Sequence, residues 1–209
     1  DNTFLSPYFQ NPIDFGADLV VHSGTKYLGG HNDALAGFLC SANKELAEKI
    51  RYVYKTTGGC LSPFESFLLI RGIKTLSVRM ERQQENAGKI ARWLTEQKNV
   101  RKVYYAGLET HPGYEINAKQ ARGAGAMISF DVDSVETAQR VLEKVRVITF
   151  AESLGGTESL ITYPMKQTHP DVPKEWREKL GITDTLLRLS VGLEHVDELI
   201  ADLEQAFVS

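Results

Sequence analysis

The sequence contains only two cysteines in 209 residues, Cys40 and Cys60. Two cysteines cannot build a disulfide scaffold, and free thiols are typical of a reducing compartment, so we expect a cytoplasmic protein without disulfides. Cys60 is expected to be a small buried residue. No apolar run approaches the roughly 20 residues that a spanning helix needs, so no membrane partner is expected either.

Neither sign of charge is in large excess, since the chain has 24 Lys and Arg against 27 Asp and Glu, for a net charge of −3. A mixed surface of this kind does not favour nucleic acid or an anionic membrane as a partner. The few histidines follow no usual ligand spacing, so we expect no metal site. A hydrophobic content of 42% is typical of a globular protein, and the length suits one large domain or two modest ones.

Apolar runs at 17–22 and 35–40 predict two strands buried on both faces, as in a parallel α/β sheet. A helix follows over 43–56, with Ser41 or Asn43 as its cap. Its apolar residues are spaced for one buried face: Leu46, Ile50, Val53 and Tyr54.

A second helical pattern begins at Ser62, where Ser-Pro-Phe-Glu is a helix-start signature, and extends to residue 94. Its predicted apolar stripe is Phe64, Phe67, Leu68, Ile73, Leu76 and Met80. A helix of about 30 residues far exceeds the usual length, so we expect a break near Gly72 or within 81–86. We place a domain boundary there, dividing the chain into 1–82 and 83–209.

The second unit has the pattern of an α+β domain. Strands are predicted at 101–105, 126–132, 146–150 and 186–191, and helices at 135–145 and 195–207. Residues 155–182 show little periodicity and are expected to form a long ordered loop.

The run VVHSGTKYLGGH places Lys26 in a glycine-rich turn directly after an apolar strand. Ser23, Thr25 and backbone N–H groups in such a turn can hold a phosphate. A lysine in apolar surroundings has a lowered pKa and can attack an aldehyde as a neutral amine. A plain surface lysine is the alternative, and the order of hydroxyls and lysine excludes a Walker loop.

The segment DNTFLSPYFQNPIDFGADLVVHSGTKYLGGHND closely resembles the region around the cofactor lysine in the Cys/Met-metabolism family of pyridoxal-phosphate (PLP) enzymes. The resemblance continues through LSPFESFLLIRGIKTLSVRMERQQENA, AESLGGTESL and QTHP and closes with GITDTLLRLSVGLEHVDELIADLEQAF. It therefore spans essentially the whole chain. It implies an α/β fold of the type I PLP-dependent transferase class, in which a C-terminal part of the large mixed-sheet domain precedes a smaller α+β domain.

The resemblance also implies the site residues. Lys26 corresponds to the lysine that carries PLP as an internal aldimine and then shuttles protons, and Asp1 to the carboxylate that pairs with the pyridine nitrogen. The cofactor phosphate is assigned to Ser23 and Thr25. The substrate is assigned to Arg188, which grips the α-carboxylate, with Ser153, the N–H of Leu154, Thr168 as support for the arginine, and Glu152.

Glu152 bears on the substrate. Members of the family that handle cystathionine often carry a glutamate here, which can accept a hydrogen bond from the distal amino group of a long zwitterion. The resemblance therefore implies a transsulfuration lyase that cleaves a C–S bond of cystathionine or a related sulfur amino acid, of the γ- or β-lyase type. A γ-synthase acting on an acylated homoserine is the alternative, and a non-catalytic scaffold that retains the fold is the alternative of another class.

The chain opens at Asp1 in a dense apolar run without methionine, so we expect a longer protein with an upstream portion. The family's glycine-containing phosphate turn, its cofactor-stacking aromatic ring and the residues lent by a neighbouring subunit all belong to that portion. The resemblance implies a homotetramer, a dimer of dimers with sites shared across the dimer interface.

Overall fold

The computed structural model describes residues 1–208, with the backbone alone for Glu178. The helices are α1 (Ser6–Phe9), α2 (Lys44–Thr57), α3 (Pro63–Lys74), α4 (Leu76–Thr95), α5 (Tyr114–Gln120), α6 (Val135–Lys144), α7 (Lys174–Lys179) and α8 (Val196–Phe207). The strands are β1 (Val20–Ser23), β2 (Gly37–Cys40), β3 (Val100–Tyr104), β4 (Met127–Val132), β5 (Thr149–Phe150), β6 (Leu160–Thr162) and β7 (Leu186–Ser190). A short 3₁₀ helix over Pro12–Phe15 and a π-helical turn over Gly24–Leu28 complete the assignment.

Both strands predicted in the first part of the chain form, but they pair with each other in antiparallel fashion, with Val20 opposite Cys40 and Ser23 opposite Gly37. The expectation of a parallel pair buried on both faces is wrong for the described residues. The connection between β1 and β2 reverses through the π-helical turn and contains no crossover helix, which a parallel pair requires. Side chains on one face of the pair, such as Val21 and Leu39, are exposed.

Helix α2 begins at its predicted cap, since the Asn43 side chain accepts a hydrogen bond from the Leu46 N–H at 3.1 Å. Its predicted buried face is not buried in this chain: Leu46 and Ile50 are half-buried, and Val53 and Tyr54 are exposed. Amphipathic spacing predicts which residues share a face, and another surface must cover that face before it is buried.

Helix α3 also starts as predicted, with the Ser62 hydroxyl accepting from the Glu65 N–H at 3.1 Å. It ends at Lys74, and α4 begins at Leu76, so the break falls close to Gly72. The stripe is corrected in part: Leu76 and Met80 are buried, whereas Phe64, Phe67 and Ile73 are exposed, and Leu69 is the buried residue of α3.

Helix α4 is continuous across 81–86, so a break there is ruled out. The polar residues that suggested it include Gln83 and Asn86, which are buried and hydrogen-bonded to other parts of the chain. The predicted boundary between 82 and 83 lies in the middle of this helix and stays a prediction.

The second unit is a five-stranded sheet in the order β3-β4-β7-β6-β5, antiparallel except for the β5–β6 pair. Helices α4, α6 and α8 pack together and against it. The largest buried side chains of this core are Met80, Ile90, Leu94, Ile128, Phe130, Ile148, Ile161, Leu187, Leu189 and Leu199. Four predicted strands and two predicted helices are confirmed here, with β5 shorter than expected.

The segment 155–182 is not one long loop, because it contains β6 and the short helix α7. Its strand has three residues, too few to show alternation. Cys40 and Cys60 are free thiols and exposed, so the burial predicted for Cys60 is wrong. Within the described chain, no cluster of His, Cys, Asp or Glu could hold a metal ion. No helix of residues 1–208 is long and apolar enough to cross a membrane.

Candidate active site

Lys26 lies in the π-helical turn that follows β1. Its backbone has φ −93° and ψ −126°, outside the helical region, so the turn is kinked at this residue. The kink interrupts the helical turn, and the Lys26 side chain extends toward the second unit. There the Lys26 Nζ donates a hydrogen bond to the Ser153 Oγ at 2.9 Å.

The turn is fixed by two threonine hydroxyl groups, which hold it at Thr25 and at Ser23. The Thr25 Oγ1 accepts from the Ala36 N–H at 3.0 Å, which ties the turn to the start of β2. On the other side, the Ser23 N–H donates to the Thr3 Oγ1 at 2.8 Å. The Asp1 Oδ1 in turn accepts from the Thr3 N–H at 2.8 Å. This chain of contacts holds the Asp1 carboxylate beside the end of β1.

A cleft of about 600 Å³ opens at this point. It is lined by Asp1, Ser23, Lys26 and Leu154, together with the segment 2–5 and Gln10. A carboxylate, a hydroxyl and an amine therefore face one cavity. The amine reaches from the first unit to the second.

The loop at 152–156 closes the cleft from the second unit. Ser153 has φ +89°, a conformation that costs a non-glycine residue about 1–3 kcal/mol and is concentrated at functional sites. Gly155 has φ +76°, and a Cβ there would lie 2.8 Å from the backbone nitrogen of Tyr27. Only glycine allows the two loops to approach this closely. The Gly155 N–H also donates to the Ser190 Oγ at 2.8 Å, which anchors the loop to β7.

Arg188 lies on β7, the central strand of the sheet, directly opposite Ser129 of β4 and Thr162 of β6. Its Nη2 makes long hydrogen bonds to the Ser153 carbonyl, at 3.4 Å, and to the Thr162 Oγ1, at 3.3 Å. Its Nε is buried and finds no hydrogen-bond acceptor among residues 1–208. A half-buried guanidinium whose buried Nε–H is unused is a strong site for an anion, and its planar fork matches a carboxylate.

Three charged side chains set the electrostatics of the site. Burial lowers the pKa of Lys26, the Arg188 guanidinium lowers it further, and the Glu152 carboxylate opposes both effects. Burial also lowers the pKa of Arg188, against the opposing effect of Glu152. The amine is thus moved toward the neutral state in which it is a base and a nucleophile.

The structure brings most of the predicted site residues together. Asp1, Ser23, Lys26 and Leu154 line the cleft, and Ser153 joins Lys26 to Arg188. Glu152 acts on both cations through its charge and is exposed. The Thr25 hydroxyl is engaged with Ala36 beside the cleft, and its assignment to a phosphate stays a prediction.

Thr168, predicted to support Arg188, pairs instead with the neighbouring ring, at 2.6 Å from its Oγ1 to the His169 Nδ1. The hydroxyl that contacts Arg188 is that of Thr162. Sequence reasoning missed Thr162, because β6 has only three residues and all of them are buried, so no alternation marks this position. It also missed Thr3, for which local spacing gives no signal because the contact depends on how the first residues fold onto β1.

Comparison with known proteins agrees with this geometry. A family model described as "Cys/Met metabolism PLP-dependent enzyme" matches residues 1–208. The chain is 50% identical over 206 residues to the cystathionine gamma-lyase of Bacillus subtilis, and 50% identical over 206 residues to a cystathionine beta-lyase of Lactococcus lactis subsp. cremoris. In each case the match covers 99% of this chain and 54% of the relative.

Among solved structures, the chain is similar to cystathionine gamma synthase from Xanthomonas oryzae pv. oryzae in complex with cystathionine. The TM-score is 0.97 at 45% identity, over 99% of this chain and 54% of that one. The chain therefore spans about half of the length of the relatives it matches.

Proposed function

Because this chain belongs to the Cys/Met-metabolism family of PLP-dependent enzymes, we propose that it supplies the lysine side of an active site that cleaves a C–S bond of cystathionine or a related sulfur amino acid. The observation that carries the proposal is the hydrogen bond from the Lys26 Nζ to the Ser153 Oγ. Through Ser153 it places an amine with a lowered pKa beside an arginine whose Nε has no acceptor within the described part of the chain.

The residues of the cleft fit PLP by their chemistry. An aldehyde carbon requires an amine, a phosphate requires hydroxyl and N–H donors, and a protonated pyridine nitrogen requires a carboxylate. Lys26, Ser23 and Asp1 provide these three groups on the wall of one cavity. When bound, PLP supplies an electron sink that stabilises negative charge at the substrate Cα.

The protein's own groups then have separate tasks. Arg188 binds the substrate α-carboxylate through its fork, and Ser153 offers its hydroxyl at the same position. The Lys26 Nζ accepts a proton from the substrate Cα and can return it to a neighbouring carbon, a role that its lowered pKa favours. The Asp1 carboxylate would pair with a protonated pyridine nitrogen, and Glu152 would accept a hydrogen bond from a distal substrate amine.

The reaction type is the finer part of the proposal. We favour a lyase, because Glu152 suits a long zwitterionic substrate. The relatives with 50% identity include both a γ- and a β-lyase, and a γ-synthase has nearly the same fold, so γ-replacement on an acylated homoserine is the second candidate. We also propose a cytoplasmic homotetramer, which the free thiols and the exposed apolar residues of α2 and α3 support.

The test uses the full-length protein. As purified with PLP it should be yellow, and borohydride reduction should attach the cofactor to Lys26, as detected by peptide mass spectrometry. Incubation with cystathionine should give cysteine, 2-oxobutanoate and ammonia for a γ-lyase, or homocysteine, pyruvate and ammonia for a β-lyase. Consumption of cysteine with an acylated homoserine instead would indicate the synthase.

The variant to compare with wild type is Lys26→Ala, which removes the amine and keeps the other residues that line the cleft. We expect kcat to fall by at least about 10²–10⁴-fold, the usual contribution of a positioned acid–base group. A protein that remains colourless with added PLP and turns over none of these substrates would refute the enzymatic function and favour a scaffold.

A further inference from the structure

Two polar side chains on the buried face of α4, Arg79 and Gln83, contact the two loops that form the candidate site. The Arg79 Nη1 donates to the carbonyl of Tyr27 at 2.8 Å, directly after Lys26. The Gln83 Nε2 donates to the carbonyl of Gly156 at 2.6 Å, in the loop that carries Ser153. Residues four apart lie on one helix face about 6 Å apart along the axis. One helical turn therefore separates the two points of attachment.

Arg79 is 3% exposed, and its described partners are two carbonyls and one hydroxyl. Besides Tyr27, it donates from Nη2 to the Gly72 carbonyl at 2.7 Å and from Nε to the Thr75 Oγ1 at 3.0 Å. Burying a cation without a carboxylate partner is costly, and an apolar residue of similar volume often gives equal or greater stability. Stability alone therefore gives a weak reason for arginine at this position.

The guanidinium also leaves no space between α4 and the lysine turn. A Cβ at Gly30, which has φ +76°, would lie 2.1 Å from the Arg79 Nη1. Arg79 thus holds the turn at Tyr27 and packs against it at Gly30, on the C-terminal side of Lys26. The rigid fork of arginine can reach two carbonyls at once, and a lysine cannot reproduce this.

We propose that Arg79 and Gln83 are positioning residues, which together fix where the Lys26 amine lies relative to Ser153 and Arg188. The proposal rests on the proposed function, since the geometry they set is that of the proposed active site. Arg79 fixes the lysine turn, and Gln83 fixes the 152–156 loop. Because both belong to one rigid helix, loosening either contact changes the distance between the two loops.

The first test measures Lys26 in the cofactor-free full-length protein, from the pH dependence of its acetylation rate by acetic anhydride, read by mass spectrometry. In Arg79→Lys the shorter side chain cannot hold the Tyr27 carbonyl of the turn and the Gly72 carbonyl of α3 together. The turn is then held less firmly, the amine becomes more exposed, and its apparent pKa should rise toward the ordinary value for lysine. The control is Gln84→Leu, on the same helix, which removes a half-buried side chain that accepts from the Ala124 and Gly125 N–H groups and has no recorded hydrogen bond to either loop.

The second test measures turnover of cystathionine by the PLP-loaded protein. Gln83→Leu releases the loop that carries Ser153, so KM should rise by about 10-fold or more with a smaller change in kcat, whereas Arg79→Lys should mainly lower kcat, by up to about 10²-fold. Gln84→Leu should lower the melting temperature and leave both constants unchanged.

The proposal is overturned if Arg79→Lys and Gln83→Leu lose thermal stability as Gln84→Leu does but keep the wild-type acetylation profile, KM and kcat. Should Arg79→Lys not fold, Thr75→Val removes the acceptor of the Arg79 Nε and also the hydrogen bond from the Thr75 hydroxyl to the Gly72 carbonyl. An unchanged Lys26 profile in that variant, together with unchanged KM and kcat in Gln83→Leu, has the same meaning. A wild-type protein that turns over neither cystathionine nor the other substrates named above, while its Lys26 profile still responds to Arg79→Lys, would refute the proposed function and leave the positioning role supported.

Discussion

Residues 1–75, which carry Lys26, and residues 76–208, which carry Arg188, differ in how they are packed. The second region encloses its own core, in which the side chains of the central strands are fully buried. In the first region, no residue of α2 is buried, and α3 buries only Leu69 and Gly72. Lys26 thus belongs to the region that contributes less to its own stability. The difference indicates that the first region depends on contacts with other surfaces, and that the sheet region is the unit able to fold alone.

The strongest test of this comparison is to separate the two regions. A fragment of residues 76–208 should unfold cooperatively in urea, because most of the buried apolar side chains lie within it. A fragment of residues 1–75 should show no cooperative transition. Circular dichroism during urea titration measures both, and a cooperative transition in the shorter fragment would contradict the comparison.

A core substitution in the sheet region should have the next largest effect. Phe130 is fully buried and packs edge-on against Phe207, with ring centroids 6.5 Å apart. Phe130→Ala should lower the free energy of unfolding of the 76–208 fragment by about 3–5 kcal/mol, the usual cost of deleting a buried aromatic ring. Urea denaturation measures this loss, and a value below about 1 kcal/mol would show that the core is not packed as described.

Lys26 gives a smaller, pH-dependent effect. In the cofactor-free folded chain its pKa is lowered from 10.5, so below the lowered pKa the folded state bears the cost of a partly buried charge. As the pH rises from the lowered pKa toward 10.5, the folded chain releases its proton first and stability increases. Lys26→Met lacks this dependence.

Lys26→Met should therefore melt at a higher temperature than wild type below the lowered pKa of Lys26. This difference in melting temperature should shrink as the pH rises toward 10.5. Differential scanning fluorimetry across this range measures it. Lys49→Met, at an exposed position of α2, serves as the control. A difference that grows with pH would reverse the assigned sign.

The smallest effect is expected at Phe64 of α3, which is 69% exposed. Phe64→Ala should change the free energy of unfolding of the 209-residue chain by no more than about 0.5 kcal/mol, as is usual for surface positions. The same change should weaken assembly of the full-length protein, which analytical ultracentrifugation detects. A large loss of stability in the 209-residue chain would show that Phe64 already has a packing partner there.

The same difference between regions explains what could be predicted from the sequence. In the second region, apolar periodicity predicted β4, β7, α6 and α8 almost to the residue, because each pattern meets its partner surface within the chain. In the first region, the pattern of α2 correctly predicted a helix and wrongly predicted a buried face. Periodicity predicts which residues share a helix face, but whether that face is buried depends on surfaces elsewhere in the protein.

The candidate site was predicted from motif resemblance, and its supporting contacts were not. Lys26, Ser153 and Arg188 carry recognisable local patterns, and the structure brings them together. Gln83, however, lies in a crowded polar stretch that indicated a helix break. A glutamine that is buried because it donates to a distant carbonyl has the same local sequence signal as a solvated one, so only the tertiary fold distinguishes them.

The unbroken course of α4 has a consequence for recombination between relatives. A chimaera joined at 82/83 would take Arg79 from one parent and Gln83 from the other, so the two loops would be held by a helix assembled from two sequences. A junction at Thr75 would keep Arg79 and Gln83 together on a helix from a single parent. Crossovers at Thr75 should therefore preserve function more often than crossovers a few residues later, and a library of hybrid genes would record that asymmetry.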